Sequence, residues 1–182
     1  MIDNGEATSI EEKAVSGDSS DKGKNRYDAL LFYHQAFRAY WSGYTDRCRY
    51  YSDKHLSIPS PEVRFIRTMV EFYHGLNTID KSRVKSSVKR KEAVSNSITA
   101  MKKLALNSDW NYTNKLELLK AEQQSLRGNH HNATKLYDAS IESARKSGLI
   151  HEQGLACEKA GFHHVIVSNN EKALKYFIQA SS

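Results

Sequence analysis

Proline is nearly absent from this chain, two in 182 residues, so nothing interrupts long helices over most of its length. Cysteine is as scarce. Cys48 and Cys157 are too few for a disulfide framework or a cysteine zinc set, and both are expected as small buried apolar residues in a reducing compartment. No run of eighteen apolar residues exists, which excludes a membrane-spanning helix. Met1–Asp18 starts acidic and has no apolar core, so no secretory signal is expected and the location reads as cytoplasmic. The glycosylation patterns at Asn111 and Asn132 then carry no meaning. There is neither a Gly-x-x-x-x-Gly-Lys-Ser/Thr nor a Gly-x-Gly-x-x-Gly loop to cradle phosphates. Apolar alternation of period two is missing throughout, which argues against strands.

What is present is charge and helical periodicity. The net charge is +6, but residues 1–25 carry six acids against three lysines, which leaves +9 on the remainder. Those first residues are rich in Ser, Gly, Asp and Lys and hold no aromatic side chain. They bury too little apolar surface to offset the entropy of ordering, so a disordered tail is expected over 1–25. From Arg26 apolar residues recur at steps of three and four. The helices expected are 26–42, 44–55, 61–79, 80–105, 110–127, 131–147, 150–168 and 171–180. Ser60 with Pro61 reads as an N-cap and first helical position. Asp80-Lys81-Ser82 reads as the opening of the fourth helix, with Val84, Val88, Val94, Ile98 and Met101 as its buried stripe. The last four helices repeat. Ala121, Ala133, Tyr137 and Ser140 return as Gly161, Ala173, Phe177 and Ala180, each 40 residues on. Small residues facing a small-x-x-x-aromatic-x-x-small run are how helical hairpins stack. The fold expected is all-α: an α-solenoid of about eight helices in antiparallel pairs, over residues 26–182.

The pairs resemble tetratricopeptide (TPR) repeats. Leu116 to Gly128 followed by Ala133 to Ile141 carries that resemblance, without a Trp-x-x-Leu-Gly opening or a closing proline and with a period nearer 40 than 34. More specifically, Leu136 to Glu158, Phe72 to Leu76, the start at Trp110 and Tyr33 to Phe37 resemble the helical-repeat region of very large signalling proteins. In those, a kinase-like domain and a STAND-type AAA+ ATPase precede the array, and GAF or PAS sensors and a histidine kinase follow it. The resemblance covers residues 27–182. It implies a scaffold fragment ending in mid-array, with an exposed apolar strip around Leu174, Phe177 and Ile178. The relatives' catalytic residues lie in other domains, and none falls on this chain.

Candidate chemistry is thin. His130, His131, His151, His163 and His164 with Cys157 suggest a metal or phosphorelay site. Adjacent histidines, however, sit about 100° apart on a helix, and no i, i+4 pair with a ligand partner exists. The run Lys81 to Lys91 holds six cations and no acid. On one helix it would align Lys81, Lys85 and Lys89 with Ser82 and Ser86 beside them, and turn Val84 and Val88 into the core. A solvated helix face explains it, since no aromatic residue interleaves the cations to stack bases. The serines at 82, 86 and 87 have only this basic context to suggest phosphorylation. The aromatics from Tyr27 to Tyr51 could line a peptide groove, but their helical spacing favours packing. No catalytic, cofactor or metal residue is expected. The function expected is a non-catalytic scaffold for protein segments or neighbouring domains of the same polypeptide, with a nucleic-acid-binding repeat using 81–91 as the alternative.

Overall fold

The computed structural model describes residues 5–59, 64–85 and 87–181, with side chains from residue 23 onward except at 64 and 65. Among these residues there are eight α-helices and no strand. They are α1 (Gly5–Trp41), α2 (Thr45–Leu56), α3 (Arg64–Val84), α4 (Val88–Ala105), α5 (Asp109–Leu126), α6 (His130–Lys146), α7 (Ile150–Ile166) and α8 (Asn170–Ala180). None is long and apolar enough to cross a membrane. The chain forms two compact units, and the division falls inside α3 between Val70 and Glu71. The Ser60-Pro61 start and Val63 lie outside the described residues.

In the first unit, α1 runs through residues 5–25, the stretch whose composition points to a disordered tail. No proline lies between Gly5 and Trp41 to stop it. Among the described side chains the first buried one is Ala29. The contact face of α1 is not the aromatic stripe expected. Ala29, Ala36 and Ala39 are buried, whereas Tyr27, Leu30, Leu31 and Trp41 stay exposed. Alanines let the backbones of α1 and α2 approach closely, and larger side chains are left to the flanks. Opposite them Cys48, Ser52 and His55 of α2 are buried. His55 Nδ1 lies 2.8 Å from the Ala29 carbonyl, and Phe32 stacks on Tyr51. Burial lowers the His55 pKa, the Ala29 carbonyl opposes that, and Arg67 adds to it.

In the second unit, consecutive helices pack: α4 on α5, α5 on α6, α6 on α7 and α7 on α8, with α5 also touching α7. The turns explain why. Three residues separate α5 from α6, α6 from α7 and α7 from α8, as they do α1 from α2. In each turn the middle residue is left-handed: Gly43, Gly128, Gly148 and, without glycine, Ser168 at φ 58°. The next N–H then closes on the carbonyl five residues back. These bonds are Tyr44 to Ala39, Asn129 to Gln124, Leu149 to Ala144 and Asn169 to His164, all 2.8–3.0 Å. That is the Schellman cap, used four times. A link of three residues leaves the next helix no choice but to run back along the last.

The third link differs from expectation. Asp80, Lys81 and Ser82 do not open a helix; they lie inside α3, where Ser82 donates to the Thr78 carbonyl at 2.7 Å. With no glycine or proline there, nothing ends the helix before residue 85. The true start is Ser87, whose hydroxyl accepts from Arg90 N–H at 3.3 Å. Val84 and Val88 therefore flank a turn and are 91% and 81% exposed, not core residues. Phe72, Leu76 and Ile79 of α3, Val94 and Met101 of α4, and Leu118, Leu119 and Ala121 of α5 form the core. Each large side chain contributes roughly 1.5–3 kcal/mol by burial. Gly75 of α3 lies tight against both α4 and α5. A Cβ there would stand 2.8 Å from the Ser97 Cβ and 3.0 Å from Leu119 Cδ2.

Candidate functional site

The densest polar chemistry lies inside the second unit. Glu122 on α5 is 2% exposed. Arg83 on the last turn of α3 donates to its Oε2 at 3.0 Å and to Ser125 Oγ at 3.2 Å. Tyr137 on α6, fully buried, donates its hydroxyl to Glu122 Oε1. Ser125 Oγ is also 2.9 Å from His163 Nδ1 on α7. Four helices thus meet on one carboxylate and one hydroxyl. Two further ties run beside it. Tyr176 on α8 donates to Asp138 Oδ1 at 2.6 Å and stacks on His164. Lys159 on α7 holds Asp80 at 2.9 Å. A third joins α5 to α7: Lys115, 1% exposed, pairs with Glu152 at 3.0 Å and donates to the Asn111 carbonyl.

The electrostatics describe a locked interior. Burial raises the Tyr137 pKa well above its ordinary value, and the Glu122 charge adds to it. Burial alone would lower the Arg83 pKa, but Glu122, with Tyr137 and Asp80 adding to it, leaves it raised. Burial pushes His163 down to about 4, with the charges of His164, His130 and Arg83 adding to it. Burial pushes the Cys157 thiol up to about 11, with Asp138 contributing. Tyrosine, histidine and cysteine are each held neutral at pH 7. At that pH none of these three side chains is an ionised acid, a charged base or an activated nucleophile.

Of the histidines picked out by sequence, three do come together. The rings of His130 and His163 are 5.4 Å apart and those of His163 and His164 5.2 Å. His131 and His151 are exposed elsewhere. Among the described residues, no group of three or more His, Cys, Asp or Glu is placed to hold a metal ion. Cys48 and Cys157 are both free and buried.

The basic run 81–91 is not one helix, which corrects its reading as a row of lysines. It is divided between the end of α3, a turn and the start of α4. Arg83 is committed to Glu122 and Ser125. The Arg90 guanidinium turns back onto the carbonyls of Lys81 and Lys85, where it closes the C-terminus of α3. Ser82 is buried, and Ser86 lies outside the described residues.

Outside the interior, a groove of about 480 Å³ lies between the start of α5 and the end of α6, lined by Trp110, Thr113, Ala139, Glu142 and Lys146 among others. Trp110 is 60% exposed there. Of these features, sequence reasoning found the histidines, the basic run and the start at Trp110. It missed Glu122, Arg83, Lys115 and Lys159, because ionic side chains give no sign in one sequence of being buried. The only available signal was positional: Glu122 stands 40 residues before Phe162, an apolar position in the repeat.

No protein-family model, curated protein or solved structure matches the chain.

Proposed function

We propose that this chain is a TPR-like helical-repeat scaffold that holds protein segments or neighbouring domains and performs no chemistry of its own. One observation carries the reading. Helices α5–α6 and α7–α8 repeat in structure with the 40-residue register of the sequence. Ala133 and Ala173 are both buried, and the Tyr137 and Phe177 rings both sit at the hairpin interface. Gly128 and Ser168 hold the same left-handed turn. Contact between α5 and α7, two helices apart, is what stacked hairpins produce. The resemblance to helical-repeat regions of large signalling proteins supports a linking role in such an assembly. Partner binding draws on the Trp110 groove, since an exposed tryptophan in a concave site is a favoured hot spot.

The test uses the full-length chain as bait, beside Trp110→Ala. Discrete protein partners cross-linked to α5–α6 by the wild type and lost at least tenfold in the variant are the expected result. Submicromolar binding of single-stranded RNA or duplex DNA at physiological salt, with affinity falling steeply as salt rises, would overturn it in favour of a nucleic-acid-binding repeat.

A further inference from the structure

The outer face of the α7–α8 hairpin is apolar and exposed. Phe162, Val165 and Ile166 lie on one side of α7, at i, i+3 and i+4, and are 51%, 48% and 56% exposed. Leu174 and Ile178 on α8 are 61% and 60% exposed. The two rows join where Phe162 meets the edge of Phe177, ring centroids 5.3 Å apart. The face is therefore one patch, not scattered side chains, and contiguous patches of this kind mark interaction sites.

The repeat shows what such a face is for. Forty residues earlier the same positions are Glu122, Ser125, Tyr137 and Asp138. There α7 and α8 cover them, through the Ser125–His163 contact at 2.9 Å and the Tyr176–Asp138 bond at 2.6 Å. One repeat on, the polar anchors are replaced by Phe162, Val165, Phe177 and Ile178. A polar face demands a partner with matching donors and acceptors. An aliphatic and aromatic face demands only another apolar face.

We infer that a second copy of this chain covers the patch, with α7–α8 packed on its own counterpart about a two-fold axis. Two features of the patch favour a copy of itself over a charged partner. The five side chains are uncharged; the acids beside them are Glu158, one turn before Phe162 on α7, and Glu171, which is paired with Lys175 at 2.7 Å. The area also suffices. Five large side chains at these exposures offer about 500 Å² per copy, or about 1,000 Å² in all, the lower bound for a specific interface. A two-fold arrangement uses the patch on both copies and closes, leaving nothing to propagate.

Sedimentation of the full-length chain between 1 and 200 μM tests this, with Leu174→Glu, Val165→Glu and, as a control, Val84→Glu at a 91% exposed position outside the patch. Far-UV circular dichroism establishes that each variant is folded. The expected result is a monomer–dimer equilibrium whose dissociation constant rises at least tenfold in Leu174→Glu and in Val165→Glu and is unchanged in Val84→Glu. A monomer at every concentration would overturn the inference. So would a dimer indifferent to both patch variants, one weakened equally by the control, or open-ended oligomers that lengthen with concentration. Dimerisation does not depend on the Trp110 groove, so either reading can fail without the other.

Discussion

Tyr137→Phe removes one oxygen atom from the centre of the second unit and leaves the packing shape almost unchanged. The hydroxyl lost is the donor to Glu122 Oε1, and the carboxylate is 2% exposed, so water cannot replace it. A hydrogen bond to a charged group is worth about 1.5–3 kcal/mol, and the buried acceptor keeps its desolvation penalty when the donor goes. For a chain of this length that is a fall in Tm of roughly 4–10 °C. Glu122→Gln keeps the shape but removes the charge that Arg83 and Tyr137 share. In that background the hydroxyl faces only a neutral amide, and Tyr137→Phe should cost about 0.5–1.5 kcal/mol. The coupling in the double-mutant cycle is then about 1 kcal/mol or more. Urea unfolding at pH 7.5 measures it. Trp41 lies in the first unit and Trp110 in the second, so a Trp41→Phe background makes fluorescence report the second unit alone. A Tyr137→Phe cost below about 0.5 kcal/mol, or the same cost in both backgrounds, would refute the reasoning.

Three other outcomes follow from the same geometry. Ser168 holds the left-handed position that glycine holds in the other three Schellman turns, a conformation that costs an L-residue about 1–2 kcal/mol. After the entropy glycine loses on folding, Ser168→Gly should stabilise by about 0.5–1 kcal/mol; equal or lower stability in urea titration would count against the turn assignment. A Cβ on Gly161 would stand 2.5 Å from the Phe177 ring, so Gly161→Ala should destabilise by about 1–3 kcal/mol by overpacking, read as a fall in the urea midpoint. The third outcome concerns pH. His163 titrates at about 4 in the fold, chiefly because it is buried, against 6.5 when unfolded. Between those values the unfolded chain binds the extra proton, so stability is full above pH 6.5 and falls as pH drops towards 4. The loss is up to about 3 kcal/mol, and unfolding at pH 7, 6, 5 and 4.5 should show it. His163→Gln should remove close to one proton from that slope without flattening it, because His55 and His164 are shifted in the same direction.

The hairpins from α5 to α8 were legible because their signals are local and redundant. Gly128, Gly148 and Asn169-Asn170 mark stops, and the small and aromatic positions repeat at a fixed distance. Each helix falls within two residues of its expected ends. The α3–α4 link was misread because Asp80 and Ser82 look like helix openers in isolation. Their polar groups are instead spent within the fold, Ser82 on the carbonyl four residues back and Asp80 on Lys159, 79 positions away. A long-range partner of that kind leaves no trace in local pattern. The α1 face was misread for a related reason. Periodicity weights large apolar residues, whereas the close approach of α1 to α2 selects alanine.

The buried ions raise the question of why this interior is polar at all. Replacing a buried ion pair by apolar residues of similar volume is often neutral or stabilising, and the chain itself carries the apolar version one repeat on, at Phe162 and Phe177. Glu122 and Tyr137 therefore need not be there to hold α5 against α6. What they add is direction. Arg83 must come from α3 and the Tyr137 hydroxyl from α6 to satisfy the Glu122 carboxylate, and His163 from α7 to meet the Ser125 hydroxyl that Arg83 also reaches, so the polar contacts tie the register of four helices. An apolar interface tolerates sliding by a turn; this one does not. Two hairpins of nearly the same pattern could otherwise exchange partners. A polar lock at Glu122 and Tyr137 and an apolar contact at Phe162 and Phe177 make α5–α6 and α7–α8 unlike at matching positions, so the two hairpins are not interchangeable.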